Sequence, residues 1–196
     1  MILGITGGTG CGKTTLLSCI GEQGGMILDC DEIYHDLLRR DPELLRAIGE
    51  RFPGTVDGGV LLRKKLGALV FSQPAALADL NGITHGAVKK EVLRRLAQKP
   101  SLAAIDAISL FEGGLAELCD VTVAVIAPQE ARIARLMKRD GITRAYAARR
   151  IAAQKDAAWF REKCDFTLEN TGTQGEFRGI CLEFLQKLMS EGVNDK

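Results

Sequence analysis

Four glycines crowded into the six residues before Lys13 leave few folds open to this chain. The stretch Gly7-Gly8-Thr9-Gly10-Cys11-Gly12-Lys13-Thr14 follows the apolar run Met1-Ile2-Leu3-Gly4-Ile5 and fits G-x-x-x-x-G-K-[ST], the phosphate-loop pattern. Glycines let the backbone take positive φ and come close to a ligand, so that successive N–H groups can converge on one anion. The residues that follow, Thr14-Thr15-Leu16-Leu17-Ser18-Cys19-Ile20, read as a helix whose N-terminus adds a partial positive charge at the same place. On this reading Lys13 reaches the β- and γ-phosphates of a nucleotide and the Thr14 hydroxyl ligates Mg²⁺. Cys11 stands where serine is common, a position expected to contribute mainly its N–H. The motif predicts a nucleoside triphosphate site. Switches, motors and kinases share it, so it does not choose among them.

A length of 196 residues suits one substantial core, with room for an insertion but not for a second ordinary domain. Basic and acidic residues number 26 and 25, so nothing in the overall charge calls for nucleic acid or an anionic membrane as partner. No apolar run approaches the roughly 20 residues of a membrane span. Met1 opens the first apolar run, so neither a signal nor a transit peptide is expected. A cytoplasmic protein, monomeric or weakly homo-oligomeric, is the expectation. Six cysteines without a C-x-x-C pair point to neither zinc nor a redox motif, and His35 and His85 cannot build a metal centre alone.

Short apolar runs alternate with longer amphipathic stretches, the pattern of a parallel sheet covered by helices on both faces. The predicted strands are 1–6, 26–29, 102–108, 121–126 and 166–168. Between the second and third lie helical patterns at about 33–40, 43–51, 61–71 and 75–98, far more than one crossover needs. They predict a helical insertion over the C-terminal edge of the sheet, where ligands of such folds bind. Pro128 opens a predicted helix at 129–138, and 143–154 follows with Arg144, Arg149 and Arg150. Those arginines are either a solvated face or part of a lid closing on the triphosphate. A final amphipathic helix is predicted at 173–190.

Asp29-Cys30-Asp31 ends the second strand at the edge where the loop lies. Phosphoryl transfer to an alcohol needs a group that orients the hydroxyl and takes its proton, and Asp31 suits that task. It could equally cap a helix starting at Glu32. Asp29 could position magnesium through water. Asp106, in the third apolar run, reads either as a partner of that magnesium or as a buried, paired acid. Glu112 could start a short helix at the Gly-Gly loop.

Taken together the motifs resemble the dephospho-coenzyme A kinases. That family opens with T-G-G-x-G-S-G-K-[ST], matched by Thr6 to Thr14, and follows with a strand ending D-A-D, matched by Asp29-Cys30-Asp31. L-R-x-x-[LIV]…F resembles Leu62-Arg63-Lys64-Lys65-Leu66 with Phe71, and Leu-x-x-Ile-x-His-Pro resembles Leu80 to Gly86. D-x-P-L-L-F-E resembles Asp106 to Glu112. R-L-x-x-R-[DN]…R-I-x-x-Q is similar to Arg135 to Asp140 with Arg150 to Gln154, and A-D-x-x-I-x-N-x-G to Cys164 to Gly172. The departures are Gly86, Ile108 and Ser109, all in the part expected to face the acceptor.

The resemblance implies an α/β fold of the P-loop NTPase type: a parallel five-stranded sheet flanked by helices, with a helical substrate-binding insertion and a helical lid. The nucleotide-binding core would be 1–31, 101–139 and 161–196, the insertion about 32–100 and the lid about 140–160. It implies ATP-dependent phosphorylation of the ribose 3′-hydroxyl of dephospho-coenzyme A. Asp31, Lys13 and Arg139 would be catalytic, with Arg139 a lid arginine neutralising the transferring group. Gly8, Thr9, Gly10, Cys11, Gly12, Lys13, Thr14, Thr15, Arg139 and Asn170 would bind ATP, Asn170 near adenine, and Thr14 would hold Mg²⁺. Asp31, Arg63, His85, Phe111 and Glu112 would bind the acceptor, although His85 could instead be a core or capping histidine. Another small-molecule, nucleoside or nucleotide kinase of the same build is the nearest alternative, and a nucleotide-dependent switch is the next.

Overall fold

A computed structural model describes residues 1–70 and 72–191. The chain runs β1 (Ile2–Thr6), α1 (Lys13–Glu22), β2 (Met26–Asp29), α2 (Cys30–Arg40), α3 (Pro42–Arg51), β3 (Val56–Asp57), β4 (Val60–Leu61), α4 (Arg63–Val70), α5 (Pro74–Leu96) and β5 (Ala103–Asp106). A 3₁₀ turn (Ala116–Leu118), β6 (Val121–Ile126), α6 (Gln129–Asp140), α7 (Arg144–Ala152), α8 (Ala157–Lys163), β7 (Phe166–Glu169) and α9 (Gln174–Glu191) complete it. Among the described residues the main sheet has five strands in the order β2-β5-β1-β6-β7, every neighbouring pair parallel. All strands therefore end at one edge. Register places Asp29 beside Asp106, and Asp106 beside Ile5. The loop leaving β1 opens at that edge.

Each face of the sheet has its own core. On one side α1 and α9 bury Leu16, Ile20, Phe177, Cys181 and Leu185 against Leu3, Ile5 and Val123. On the other, the insertion buries Ile33, Leu37, Leu44, Ile48, Phe52, Leu66, Val88 and Val92 against Leu28, Ile105 and Leu110. Each large side chain fully removed from water contributes about 1.5–3 kcal/mol, so the insertion is fused to the sheet through a common apolar layer.

Helix starts follow local chemistry. The Asp29 carboxylate accepts from the Glu32 N–H at 3.0 Å, and Asp41 caps α3 through the Glu43 and Leu44 N–H groups with Pro42 in the first turn. Thr143 caps α7 and Asp156 caps α8. The predicted elements recur, with three differences. The helix expected from residue 61 starts at Arg63, because Val56-Asp57 and Val60-Leu61 form a hairpin around Gly58-Gly59, both at positive φ. Its expected end, Phe71, lies outside the described residues. The third core strand stops at Asp106, two residues before the expected Ile108. Helix α8 was not anticipated, since it is seven residues long and carries little periodicity.

α5 is pinned to α2 by one acid. Glu91, buried on α5, accepts from Arg94 (2.7 and 2.9 Å), Arg95 (2.9 Å) and Arg40 of α2 (3.1 Å). Arg94 first, then Arg95, hold its carboxyl down to about 2, against an ordinary 4.5. A depressed acid stabilises the fold above its unfolded value and loses that contribution as pH falls towards the folded one. Glu91→Gln is therefore expected to lower stability by about 1–2 kcal/mol at neutral pH. It should also flatten the decline of the parent between pH 4.5 and 2 in denaturant titrations.

Candidate functional site

The loop between β1 and α1 lines a cleft of about 660 Å³. Gly8, Thr9, Gly10, Gly12, Lys13 and Thr14 form one wall, Asp31, Asp106 and Ile108 the sheet edge, and Arg135, Lys138, Arg139 and Arg150 the opposite side. Five cations against two carboxylates make this a site for a polyanion. Gly12 sits at φ 102°, and a Cβ there would collide with the Asn170 amide, so only glycine fits. Lys13 opens α1, donates to the Gly7 carbonyl at 3.2 Å and lies 3.9 Å from Asp106 Oδ1.

Asp106 is the acid whose environment is least comfortable. Its Oδ1 is buried with no hydrogen-bond partner among the described residues, and desolvation pushes its pKa up to about 6 despite the opposing charge of Lys13. Nearby Asp29 and Asp31 push the same way. Of the alternatives read from sequence, Asp106 is buried and loosely paired with Lys13, and it also faces the cleft.

Asp31 does not cap α2, since Asp29 does that. It stands in the first turn of α2 and borders two cavities. One is the phosphate cleft, and the other is a pocket of about 150 Å³ formed with Cys30, Tyr34, Thr84, His85, Val88, Ala107, Ser109, Gly113 and Leu115. Ile108 is the other shared wall. Two of the three departures from the resembling family, Ile108 and Ser109, thus line the second pocket, while Gly86 lies within the unbroken α5.

The remaining predicted residues divide. Cys11 and Asn170 lie behind the loop. The Cys11 thiol is buried in the core under α1, and its N–H donates to the Gly8 carbonyl at 3.2 Å. Asn170 donates to the Cys11 carbonyl at 2.9 Å and accepts from Arg135 at 3.0 Å. Thr15 is half-buried, its N–H bonded to the Gly12 carbonyl. Arg139 faces the cleft from the end of α6, chelated to Asp140, which Arg150 also grips. Of the basic residues on α7, only Arg150 lines the cleft. Arg144 turns away to Glu130, and Arg149 lies over Tyr146.

His85 lines the second pocket, whereas Arg63 does not. Arg63 stands 3.4 Å from His35 in a groove that adjoins the pocket through Tyr34. Phe111 packs edge-on to Trp159 at 5.5 Å, and Glu112 is exposed, so neither lines the cavities described. Sequence reasoning gave no role to Arg132 or Gln154, both of which bond the loop's outer side. Gln154 carried a signal as the last residue of a quoted motif, but Arg132 on an amphipathic helix looked like any solvated charge.

The model of the family described as dephospho-CoA kinase matches residues 1–176. The chain belongs to that family. A dephospho-CoA kinase of Latilactobacillus sakei is 33% identical over 99% of this chain and 96% of its own. One from Deinococcus radiodurans is 37% identical over 87% and 84%. A solved Thermus thermophilus structure superposes with a TM-score of 0.80 at 31% identity, covering 97% of each chain. The family is one of kinases, enzymes that use ATP, and the parallel sheet is the expected P-loop kinase architecture. Among the described residues no helix is long and apolar enough to cross a membrane.

As for magnesium, the described residues hold no cluster of three or more acids, histidines or cysteines able to cage an ion. They do offer the exposed Thr14 hydroxyl at the loop and the unpartnered Asp106 oxygen across the cleft. That donor set suits an ion that arrives with phosphate oxygens and keeps several waters.

A raised acid destabilises the fold as pH climbs from its unfolded value through its folded one. Asp106→Asn is therefore expected to raise the thermal midpoint of the free protein at pH 8 and to remove the destabilising contribution that Asp106 makes between pH 3.8 and 6. Turnover should nevertheless fall by at least about tenfold, because a strongly perturbed acid in a cleft of this kind is commonly a functional one. Scanning calorimetry and steady-state rates on the same preparations check both halves.

Proposed function

We propose that the protein transfers the γ-phosphoryl group of ATP to the ribose 3′-hydroxyl of dephospho-coenzyme A, releasing coenzyme A and ADP. The observation that carries this reading is the position of Asp31 between a cationic, loop-lined cleft and an adjoining pocket. A donor in the first and an acceptor in the second would meet at that carboxylate.

In this reading the loop N–H groups and Lys13 hold the β- and γ-phosphates, and Thr14 with Asp106 would hold Mg²⁺. Such an ion, when bound, would supply charge neutralisation to the phosphates. Asp31 orients the acceptor hydroxyl and takes its proton as the new O–P bond forms, while the bond to the bridging oxygen breaks and its electron pair leaves with ADP. Arg139 and Arg150 meet the charge spread over the equatorial oxygens. Asn170 acts through the loop, since its Nδ2 is engaged by the Cys11 carbonyl and its Oδ1 by Arg135, which itself bonds the Gly10 and Cys11 carbonyls. The insertion, about 32–100, contributes the acceptor pocket through Tyr34, Thr84 and His85, with Arg63 at the adjoining groove. The helices around 140–160 serve as the lid. Phe111 supports that lid through Trp159, and Glu112 is left for the outer acceptor surface. Six unpaired cysteines are consistent with a reducing, cytoplasmic setting.

Incubating the protein with Mg-ATP and dephospho-coenzyme A should add one phosphate to the acceptor, detected by mass. No such product, with turnover on another alcohol, would displace the proposed acceptor. Asp31→Asn should bind ATP normally and slow turnover by at least about a hundredfold. A variant as fast as the parent would remove Asp31 from the chemistry.

A further inference from the structure

We infer that Arg132 of α6 and Gln154, two residues past α7, are positioning residues for the phosphoryl donor, forming a brace that turns the Gly10 N–H into the cleft and ties the loop to the lid. The inference rests on the reading above only for ATP as donor.

Thr9 is gripped at both of its backbone polar groups. Its N–H donates to Gln154 Oε1 at 2.9 Å, and its carbonyl accepts from Arg132 Nε at 2.9 Å. Arg132 Nη2 donates to the same Gln154 oxygen at 2.9 Å, closing the arrangement. A peptide unit is planar, with C=O and N–H pointing opposite ways. Holding the Thr9 carbonyl towards α6 therefore directs the Gly10 N–H away from α6. Gly10 itself lines the cleft. With its own N–H held by Gln154, Thr9 has no backbone donor left for the phosphates.

Two further observations support the brace. Gly8 has no positive φ, yet a Cβ there would collide with the Arg132 guanidinium, so a side chain at this place would push the arginine out of the brace. Arg132 is only 8% exposed, and among the described residues it has no carboxylate partner. A buried cation satisfied by a carbonyl and an amide oxygen leaves its charge uncompensated. Lying behind a loop whose front faces a cationic cleft, it favours an anion there. Gln154 belongs to the segment that carries Arg150, so a shift of the lid alters the same hydrogen bonds that set the loop.

The test uses the full chain and reads each ligand separately by calorimetry: a non-hydrolysable Mg-ATP analogue without acceptor, and dephospho-coenzyme A without nucleotide. Gln154→Met keeps the length of the side chain and removes its acceptor. It is expected to weaken the ATP analogue by about tenfold while leaving dephospho-coenzyme A affinity near that of the parent. Arg132→Lys keeps the charge but loses the planar fork that reaches two acceptors. It should show the same nucleotide-only loss, and it substitutes for the methionine variant if that one does not fold. A nucleotide loss smaller than about fivefold, or an equal loss for both ligands, would overturn the brace. A parent that does not bind dephospho-coenzyme A would sink the proposed acceptor and leave the nucleotide arm to decide this inference alone.

Discussion

A loop made largely of glycine has almost no side chains with which to hold itself open, and its shape must come from what grips its backbone. Here the outward-turned carbonyls of Thr9, Gly10 and Cys11 are met by Arg132, by Arg135 and by Asn170. These donors come from α6 and from the end of β7, elements more than a hundred residues away in sequence. The phosphate site is thus assembled by the whole α/β core and is not a property of eight residues. The same arrangement explains two of the glycines: a side chain at 8 or 12 would strike the groups that do the gripping.

Parallel topology supplies the second constraint. Because every strand runs the same way, the acids at the ends of β2 and β5 arrive beside the loop, in register with one another. Three carboxylates and one lysine then share a small volume, and the environment assigns them different work. Asp29 is used by the helix it caps, Asp106 is starved of partners, and Asp31 is left facing both cavities.

The parallel sheet, the loop and acids at one edge of it, and most helices could be read from periodicity and from the motif at residues 7–14. So could the gathering of Lys13, Thr14 and Asp31 around one cleft, because strand ends in a parallel sheet have nowhere else to go, whereas Arg139, at the end of α6, is placed there from sequence only by the family resemblance. What could not be read depends on side-chain direction. Arg144 and Arg150 look alike in sequence, but six residues along the chain one faces Glu130 and the other the cleft. Asn170 and Cys11 belong to the right neighbourhood and turn out to lie on the reverse of the loop. The β3–β4 hairpin was missed although Asp57-Gly58-Gly59 carries its turn chemistry, because two-residue strands have no detectable period.

The apolar layer common to the sheet and the insertion bears on how this family can diversify. Leu28, Ile105 and Leu110 share one continuous apolar layer with helices α2 to α5, so stripping those helices away would expose one whole side of the sheet. A helical segment joined to the sheet in this way cannot be exchanged between relatives as a cassette. New preferences have to arise one lining residue at a time, and Ile108, in the wall shared by the two chambers, and Ser109, beside it in the second, are where this chain departs from the motif it resembles.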